Sequence, residues 1–240
     1  MKPLARAPLY ARAEAALRAR IAGLEWKPGE ALPTEGVLAT ELGISQGTLR
    51  RALAVLEGQR LIERRQGIGT YVTKTTSERA LFHFFRAEAL DGGRVTPTSR
   101  LHRLETRAAS PEEALDLGLP RRARVHALSR QRLVTGRASI VEDITLPAAL
   151  FPGFHLPIDV ELSDELYVHY QRHHGVTVIR VAEKLSAVAA PAAIADALEC
   201  PQGTPLLLIA RIAHDVLDRP VERRLAWMET RDLRYAIELR

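Results

Sequence analysis

The side chains with the clearest spacing for a chemical task lie on one predicted helix, which Ser45 opens as its N-cap. Leucines recur every three or four residues from Leu49 to Leu56 and form the face of this helix that packs inward. The outward positions carry polar and basic side chains: Gln46, Thr48, Arg50 and Arg51. Arginine and glutamine make paired hydrogen bonds to guanine and adenine edges in the DNA major groove. This helix therefore predicts contact with nucleic acid.

The net positive charge of the chain is confined to the same region. Residues 1–80 hold 13 lysines and arginines against 8 aspartates and glutamates, and the other 160 residues hold 21 of each class. The net charge of +5 therefore belongs to the first third of the chain, which suits a polyanionic partner such as DNA. We expect a basic module joined to a neutral module with a separate task.

A second group with suggestive spacing is formed by His169, His173 and His174. The first two lie four residues apart on a predicted helix, as the ligands of helical metal sites do. Arg172 lies beside them and would repel a cation, and no glutamate for a hydrolytic metal site lies between them. We therefore expect a solvated helix end, where histidine favours the negative pole of the helix dipole, and no bound metal or other cofactor.

The sequence also lacks the motifs of common enzyme classes. It contains no nucleophile elbow, P-loop or dinucleotide-binding fingerprint. Hydrophobic residues make up 46% of the chain, yet no apolar stretch approaches the roughly 20 residues that span a bilayer. A single cysteine, Cys200, fits a reducing compartment. We expect a cytoplasmic protein that has no membrane partner and is not an enzyme.

Two further helices must position the basic helix. Apolar residues spaced by three or four predict a first amphipathic helix over 9–22. Thr34 is a suitable N-cap for a second helix, which Gly43 ends. Only one residue separates Gly43 from the N-cap Ser45, and two helices joined by so tight a turn indicate a helix-turn-helix.

A strand, a glycine turn and a second strand follow this helix-turn-helix. The segments 61–65 and 70–72 predict the two strands, and two glycines between them allow a tight hairpin. Arg64 and Arg65 lie beside the turn, where a DNA backbone could contact them. A helix-turn-helix followed by such a hairpin indicates a winged helix.

A short polar segment, 75–81, predicts a linker between a winged-helix domain over 1–74 and a second domain over 82–240. In the second domain, strand patterns are interrupted by short helices, which indicates an α+β fold built on an antiparallel sheet. Strands are predicted over 99–106, 125–134, 139–146, 176–189, 206–216, 220–227 and 235–239. Helices are predicted over 110–118, 165–173 and 191–198.

Three motifs of the first domain, Leu32–Glu35, Leu42–Leu53 and Gly67–Val72, follow one another in a specific order. Together they resemble the DNA-binding domain of GntR-type bacterial transcription regulators. The resemblance implies a winged helix whose third helix enters the major groove of double-stranded operator DNA. Thr48 and Arg50 match contact positions of the family. The resemblance and the spacing together predict DNA contacts at Thr34, Glu35, Ser45, Gln46, Gly47, Thr48, Arg50, Arg51, Arg64, Arg65, Gly67 and Gly69.

This chain departs from that family pattern at Gly36, Gln46 and Ile68, where family members often carry basic residues. Arginine pairs with guanine, whereas glutamine prefers adenine, and one good bidentate contact discriminates by about 1–3 kcal/mol. We therefore expect a palindromic operator whose half-sites differ from the usual guanine-containing ones.

Five motifs of the second domain are Ser129–Leu133, Val141–Glu142, Phe151–Gly153, Gly203–Leu207 and Arg219–Glu222. In this order they resemble the UTRA effector domain of the HutC subfamily of GntR-type regulators, whose fold is related to chorismate lyase. The resemblance implies an effector pocket lined by Arg130, Arg132 and Glu142. It also places three further residues at or near the ligand: Ser99, Glu183 and Tyr235.

The implied pocket residues suit an anionic ligand. Arg130 and Arg132 share one face of a strand, so both can clamp a carboxylate or phosphate, while Glu142 accepts hydrogen bonds from the ligand. The alternative is an exposed hairpin in which arginine and glutamate pair only with each other across the strands. The run Thr230–Tyr235 differs from the Gly-Asp-Arg-Tyr-like run of members that sense amino-sugar phosphates, so a sugar phosphate does not follow.

The two resemblances predict a homodimeric repressor whose affinity for operator DNA changes when a small anion binds. Candidate anions are sugar phosphates, amino-acid catabolites and organic acids. Two alternatives stay open: a constitutive DNA binder without an effector, and a chorismate-lyase-like enzyme domain. The direction of the effector's action on DNA binding also stays open.

Overall fold

The computed structural model describes residues 7–76, 84–163 and 166–237. The N-terminal part consists of α1 (Leu9–Ala22), α2 (Glu35–Glu41), α3 (Gln46–Gly58), β1 (Ile62–Arg65) and β2 (Gly69–Val72). Thr34 caps α2 by accepting a hydrogen bond from Val37 N at 3.5 Å. Ser45 caps α3 by accepting one from Thr48 N at 3.2 Å. The predicted helix-turn-helix and hairpin are confirmed.

Apolar side chains from the three helices form one core. Leu17 of α1, Leu38 of α2 and Leu53 of α3 each expose 1% or less of their surface. The loop before α2 pairs with β2, where Leu32 N donates to Thr70 O at 2.8 Å. This pairing fixes the hairpin next to the helix-turn-helix.

The C-terminal part is an α+β unit, as predicted. Its strands are β3 (Ala87–Ala89), β4 (Thr98–Ala108), β5 (Arg124–Val134), β6 (Arg137–Pro147), β7 (Glu161–Leu162), β8 (Val178–Ala189), β9 (Pro205–Asp215), β10 (Pro220–Glu229) and β11 (Leu233–Tyr235). Its helices are α4 (Pro111–Asp116), α5 (Leu166–His174) and α6 (Ala192–Leu198). Seven strands form an antiparallel sheet in the order β7-β4-β5-β6-β10-β9-β8. None of the helices in the described ranges is long and apolar enough to cross a membrane.

The last strand differs from the prediction. It begins at Leu233 rather than 235 and is described as Leu233–Tyr235, because it pairs with β3, with Leu233 opposite Ala89. Positions 238 and 239 of the predicted strand lie outside the described residues. The sequence predicts neither β3 nor β7, since strands of three and two residues are too short to show an alternating pattern. Glu165, the predicted first residue of α5, lies outside the described residues.

The two parts of the chain contact each other through several residues, among them Val216 and Gln171. Val216, in the turn between β9 and β10, packs in the N-terminal core, and its carbonyl oxygen accepts a hydrogen bond from Arg18 Nη1 at 2.8 Å. Gln171 of α5 accepts a hydrogen bond from Thr75 N, in the predicted linker, at 2.8 Å. The turn after β9 therefore contacts α1 of the winged helix, and α5 contacts the segment that follows the winged helix.

Candidate functional site

Three rows of side chains lie across one face of the seven-stranded sheet, because directly opposed residues in an antiparallel register share a face. The first row is Ser99, Arg132, Ile140, Met228 and Leu207. The second row is Leu101, Arg130, Glu142, Ala226 and Ile209. The third row is Leu128, Ile144, Arg224, Arg211 and Glu183. Charged residues therefore lie side by side within an otherwise apolar surface.

A pocket covers these rows and has an empty volume of about 570 Å³, its open mouth included. Arg132, Arg211 and Arg224 line it from the sheet, and the exposed Arg86 lines it from the segment before β3. Aromatic lining residues are Phe84, Phe85, Tyr167 and Tyr235. Aliphatic lining residues include Ile140, Leu166, Ile209, Ala226 and Met228.

Glu142 lies at the centre of the rows and exposes 4% of its surface. Arg130 Nε donates to its Oε2 at 2.5 Å, and Arg224 Nη1 donates to its Oε1 at 2.8 Å. Burial opposes ionisation of this carboxyl, but the charges of Arg130, Arg224 and Arg132 outweigh burial and hold the pKa of Glu142 well below its usual value. Glu142 is therefore an anion at neutral pH and orients two arginines.

Arg224 connects the pocket to α5 through Glu222. The Nε and Nη2 atoms of Arg224 donate to the two oxygens of Glu222, at 2.9 and 2.8 Å. The same carboxylate accepts hydrogen bonds from the hydroxyls of Tyr167 and Tyr170, at 3.0 and 2.7 Å. Burial, followed by the charge of Glu222, raises the pKa of Tyr167 to about 12, so its hydroxyl stays protonated and donates. The wall of the pocket is thus bonded to the helix that contacts the linker.

A third carboxylate, Glu183 of β8, holds two residues that line the pocket. It accepts hydrogen bonds from Arg211 Nε, at 2.6 Å, and from the hydroxyl of Tyr235. Arg211 Nη2 also donates to Phe84 O at 2.5 Å. Burial and the hydrogen bond to Glu183 raise the pKa of Tyr235 above its usual value. Both lining side chains are therefore fixed in place.

Four buried arginines belong to this network, and each exposes 8% or less of its surface: Arg130, Arg132, Arg211 and Arg224. The carboxylates that bond to three of them are Glu142, Glu183 and Glu222. Arg132, Arg211 and Arg224 line the pocket, and guanidinium groups donate strong hydrogen bonds to carboxylate and phosphate oxygens. The arrangement is therefore suited to a small anion.

The structure brings most of the predicted pocket residues together. Three of them line the pocket: Arg132, Glu142 and Tyr235. The other three are neighbours of lining residues: Ser99, Arg130 and Glu183. The alternative of an exposed hairpin is wrong. Arg130 and Glu142 do pair across β5 and β6, but both side chains are buried.

The sequence-based prediction omits Arg211, Glu222 and Arg224. Arg211 interrupts the apolar run 209–213, and Glu222 and Arg224 are two residues apart, so they share a face of β10. Charged residues at inward positions of predicted strands are the signal that could find them, since such residues are rarely buried unless paired.

The predicted DNA-contact residues lie at the starts of α2 and α3 and in the hairpin. Most of them are exposed, whereas Glu35 and Thr48 are half-buried. Glu35 accepts a hydrogen bond from Arg50 Nε at 2.6 Å and lies 3.8 Å from Arg64 Nη2. One carboxylate at the start of α2 therefore holds an arginine of α3 close to an arginine of β1.

Two other arginines of this region stack on aromatic rings. The guanidinium of Arg51 lies 4.0 Å from the centroid of the Tyr10 ring, and that of Arg65 lies 4.2 Å from the Tyr71 ring. A stacked guanidinium still donates hydrogen bonds in its own plane. Stacking therefore orients these side chains without preventing contacts to phosphate.

The tip of the hairpin has the conformation that its glycines permit. Gly67 and Gly69 have φ values of 72° and 143°, which residues other than glycine rarely adopt. Ile68 between them is 71% exposed. The tip is therefore apolar at the position where family members often carry a charge.

Two of the departures from the family pattern are neighbours in space. A Cβ atom placed on Gly36 would lie 3.7 Å from Gln46 Nε2. A Cβ atom at position 36 would therefore be in ordinary van der Waals contact with the side chain of Gln46. The two residues belong to one local arrangement, in which Gln46 lies against the first turn of α2.

The histidines of α5 differ from the prediction of a solvated helix end. His169 and His174 are half-buried, and their rings lie 5.3 and 5.5 Å from that of Phe154, whereas His173 is exposed. Burial, followed by the charges of neighbouring histidines, lowers the pKa of His174. Among the residues that the structure describes, no group of three or more histidine, cysteine, aspartate or glutamate side chains is arranged to hold a metal ion.

Two family models match the chain. The model for bacterial regulatory proteins of the gntR family matches residues 9–72, and the UTRA domain model matches residues 93–234. The HTH-type transcriptional repressor NagR of Bacillus subtilis (strain 168) is 29% identical over 208 residues, which cover 86% of this chain and 84% of NagR. The histidine utilization repressor of Pseudomonas putida is 32% identical over 149 residues, 62% of this chain and 60% of that protein.

A solved structure supports the same relationship. The ligand-binding domain of a GntR-family transcriptional regulator from Bordetella bronchiseptica aligns with a TM-score of 0.61 and 29% identity, over 66% of this chain and 98% of that one. These families and relatives are transcription regulators and not enzymes, as the sequence predicts. The chain therefore belongs to the GntR family of bacterial transcription regulators and carries a UTRA domain behind its winged helix.

Proposed function

We propose that this protein is a repressor that binds operator DNA as a homodimer and leaves the DNA when a small anion occupies the pocket of its second domain. The observation that carries the proposal is a pocket lined by three buried arginines: Arg132, Arg211 and Arg224. An anion in the pocket would accept hydrogen bonds from these guanidinium groups, and the pocket is joined to a basic winged helix. The name repressor, which several relatives carry, supports repression of transcription by the DNA-bound protein.

In this proposal, DNA is bound by α3 and the hairpin. Arg50 and Arg64, held together by Glu35, would contact bases and backbone, and Gln46 would favour adenine over guanine. The exposed arginines would displace the counterions that surround the DNA phosphates, so operator affinity should fall steeply with salt.

A single winged helix reads one half-site. A symmetric dimer would present two recognition helices about one helical turn, roughly 34–36 Å, apart.

One route for the effector's influence runs through α5. A ligand that bonds to Arg224 changes the contacts of Glu222, and Glu222 holds the hydroxyl of Tyr170 on α5. The next residue, Gln171, accepts the hydrogen bond from Thr75 in the linker. A small shift of α5 would therefore change the direction in which the linker leaves the winged helix.

A second route runs along β9. Arg211 lines the pocket, and the same strand leads to the turn that carries Val216. Val216 packs in the core of the winged helix and bonds Arg18. Movement of β9 would be transmitted directly to α1, so both routes would alter the spacing between the two winged helices of a dimer.

The proposal is tested by gel shift with the DNA upstream of the gene, with and without candidate anions. We expect an effective anion to lower operator affinity about five- to 150-fold, the range of typical allosteric coupling. The Arg132→Ala variant should bind the operator but no longer release it. Loss of operator binding in this variant would contradict the proposed division of tasks, and an affinity unaffected by any anion would indicate a constitutive DNA binder.

A further inference from the structure

We infer that two copies of this chain join edge to edge through β8, so that their sheets form one continuous antiparallel sheet around a two-fold axis at Leu185. This inference rests on the homodimer of the proposed function and names the surface that forms it. Three properties of β8 point to a second copy of the chain: an open backbone edge, side chains that can oppose their own copies, and contacts with both the winged helix and the pocket.

The outer edge of β8 is open to a further strand. β8 is the last strand of the seven-stranded sheet, and among the elements that the structure describes it pairs only with β9. Ala190 N, directly after β8, donates to Thr204 O on the side of β9. Because the backbone groups of successive residues point to alternate sides of a strand, those of Glu183, Leu185 and Ala187 point away from β9. No backbone group elsewhere in the described ranges bonds to them.

The two edges of the sheet differ in charge. At the opposite edge, β7 covers the start of β4, and the rest of β4 carries Arg103, Glu105 and Arg107. Charged side chains of this kind keep an edge strand from pairing with another chain. From Leu185 to the end of β8 at Ala189 the chain has no charged residue, although most of these positions are exposed. The edge of β8 therefore lacks the charges that would prevent pairing.

Symmetry and charge select the register of the two copies. Two copies of a strand in one sheet related by a two-fold axis are antiparallel, and opposed residues lie at equal distances from the axis. An axis at Glu183 or Lys184 would place like charges opposite each other, which destabilises a strand pair. An axis at Leu185 places Glu183 opposite the partner's Ala187. It also places Lys184 opposite the partner's Ser186, and an axis further along β8 would pair fewer residues.

The same strand contacts the winged helix. Ile179, near the start of β8, packs against the N-terminal core. The start of β8 therefore meets the DNA-binding domain, and the end of β8 meets the second copy. A change in the angle between the two β8 strands would move the two winged helices relative to each other.

The edge is also next to the pocket. Glu183 accepts hydrogen bonds from Arg211 and Tyr235, and both of these residues line the pocket. Leu185 is 43% exposed and lies directly opposite Ile209, another lining residue. An effector that moves Arg211 would therefore act on Glu183, which lies at the contact between the two copies. The interface thus lies between the effector and the spacing of the winged helices.

Disulfide cross-linking of the full chain tests this interface. Leu185→Cys is made in a Cys200→Ala background, which lacks the single native cysteine. Opposed, hydrogen-bonded residues of antiparallel strands have Cα atoms about 5.5 Å apart, a distance that suits a disulfide. We expect mild oxidation without DNA to convert most of this variant into a covalent dimer on a non-reducing gel.

Two control variants in the same background test the register and chance collisions. Ala187→Cys is exposed on the same face of β8, but its two copies would lie four residue steps, about 13 Å, apart and could not form a disulfide. Leu115→Cys is 82% exposed on α4, outside the proposed interface. Neither should cross-link above background. Cross-linking of either control in preference to Leu185→Cys overturns the inference, and so does an absence of cross-linking at position 185.

Charge at position 185 tests the dimer without a covalent bond. Leu185→Lys and Leu185→Glu each place like charges at the axis and should raise the dimer dissociation constant at least about tenfold. A mixture of the two variants should dimerise more tightly than either alone, because opposite charges then meet. Analytical ultracentrifugation measures the constants, and thermal unfolding checks that each variant is folded. Wild-type dimerisation of both variants, no recovery in the mixture, or a monomeric wild type would refute the interface.

Gel shift with the cross-linked dimer separates this inference from the proposed function. A dimer that forms through position 185 but binds no operator, or keeps its operator affinity with every anion, supports the interface and contradicts the repressor mechanism. A protein that binds operator and is released by an anion, but dimerises through another surface, does the reverse.

Discussion

The winged helix and the pocket both place one glutamate between two arginines, but in different surroundings. In the winged helix, Glu35 is half-buried and contacts the exposed Arg50 and Arg64. In the pocket, Glu142 bonds Arg130 and Arg224, and all three side chains expose 6% or less of their area. Water and salt screen the first group, whereas the second acts through a medium of low dielectric constant.

This difference separates two uses of the same side chains. Exposed arginines attract a polyanion over a distance and adapt to its surface at little cost in stability. Buried arginines must be balanced by fixed carboxylates, so they recognise a small charge at one position and also hold the domain together. Changes at the first group should therefore alter DNA binding, and changes at the second should alter folding and ligand recognition.

The largest expected effect comes from removing the central charge of each group. Glu142→Gln removes the buried carboxylate that Arg130 and Arg224 share, although Arg224 keeps its bonds to Glu222, and should lower the free energy of unfolding by about 3–5 kcal/mol. Glu35→Gln is the matched control and should cost about 1 kcal/mol or less, because its arginines are exposed. Urea unfolding measures both values, and equal losses would contradict the comparison.

The pH dependence of stability should differ in the same way. The pKa of Glu142 is lower in the folded protein than its usual value of 4.5, so its stabilisation is present above that pH and is lost as the pH falls. Burial raises the pKa of Glu222, but the charge and hydrogen bond of Arg224, together with the hydrogen bond from Tyr170 and the charge of Arg211, outweigh burial and lower it. The free energy of unfolding of the wild type should therefore decrease below about pH 4.5.

In Glu142→Gln the slope of stability against pH below 4.5 should be smaller by up to about 1.4 kcal/mol per pH unit, which corresponds to one proton. Urea unfolding at a series of pH values measures it. An unchanged slope would show that Glu142 has the same pKa in the folded and the unfolded protein.

Arg50→Ala should weaken operator binding by about 1–3 kcal/mol, because it removes a contact of the recognition helix. Arg12→Ala is a control at an exposed arginine of α1 outside the predicted contact set. Fluorescence anisotropy with labelled operator measures the change. Thermal stabilisation by the effector should persist in Arg50→Ala, and its loss would contradict the independence of the two regions.

A substitution at position 46 tests which base this residue contacts. Gln46→Arg should shift the preference at one base pair of each half-site from adenine towards guanine, by about 1–3 kcal/mol. Because Gln46 lies next to Gly36, an arginine side chain in Gly36→Arg would contact Gln46 and should alter the preference at the same position. Selection from random DNA reads out both variants, and unchanged half-sites would refute this role.

The smallest expected effect concerns the contact between the two parts of the chain. Gln171→Ala removes the bond to Thr75 and should reduce the coupling between effector and operator by about 0.5–2 kcal/mol. Each ligand should still bind alone with nearly unchanged affinity. Operator titrations with and without effector measure the coupling, and wild-type coupling in this variant would exclude the route through α5.

The two regions also differ in how far the sequence predicts them. Capping residues, helical spacing and the glycine hairpin are local signals, so Thr34, Ser45 and the elements that they start could be predicted from short segments. Arg132 and Glu142 are assigned to the pocket only by the resemblance to the UTRA domain, since the hairpin pattern alone also allows an exposed pair. Arg211 and Arg224 join them only through the strand order β6-β10-β9, which no local pattern encodes.

The central claim is that effector and operator act against each other through one protein. The most direct test titrates the anion that stabilises the protein most, first against the free protein and then against protein saturated with operator DNA. Because coupling between two bound ligands is reciprocal, we expect operator DNA to weaken effector binding about five- to 150-fold, by the same factor as the effector weakens operator binding. Equal effector affinities for the free and the DNA-bound protein would contradict the account.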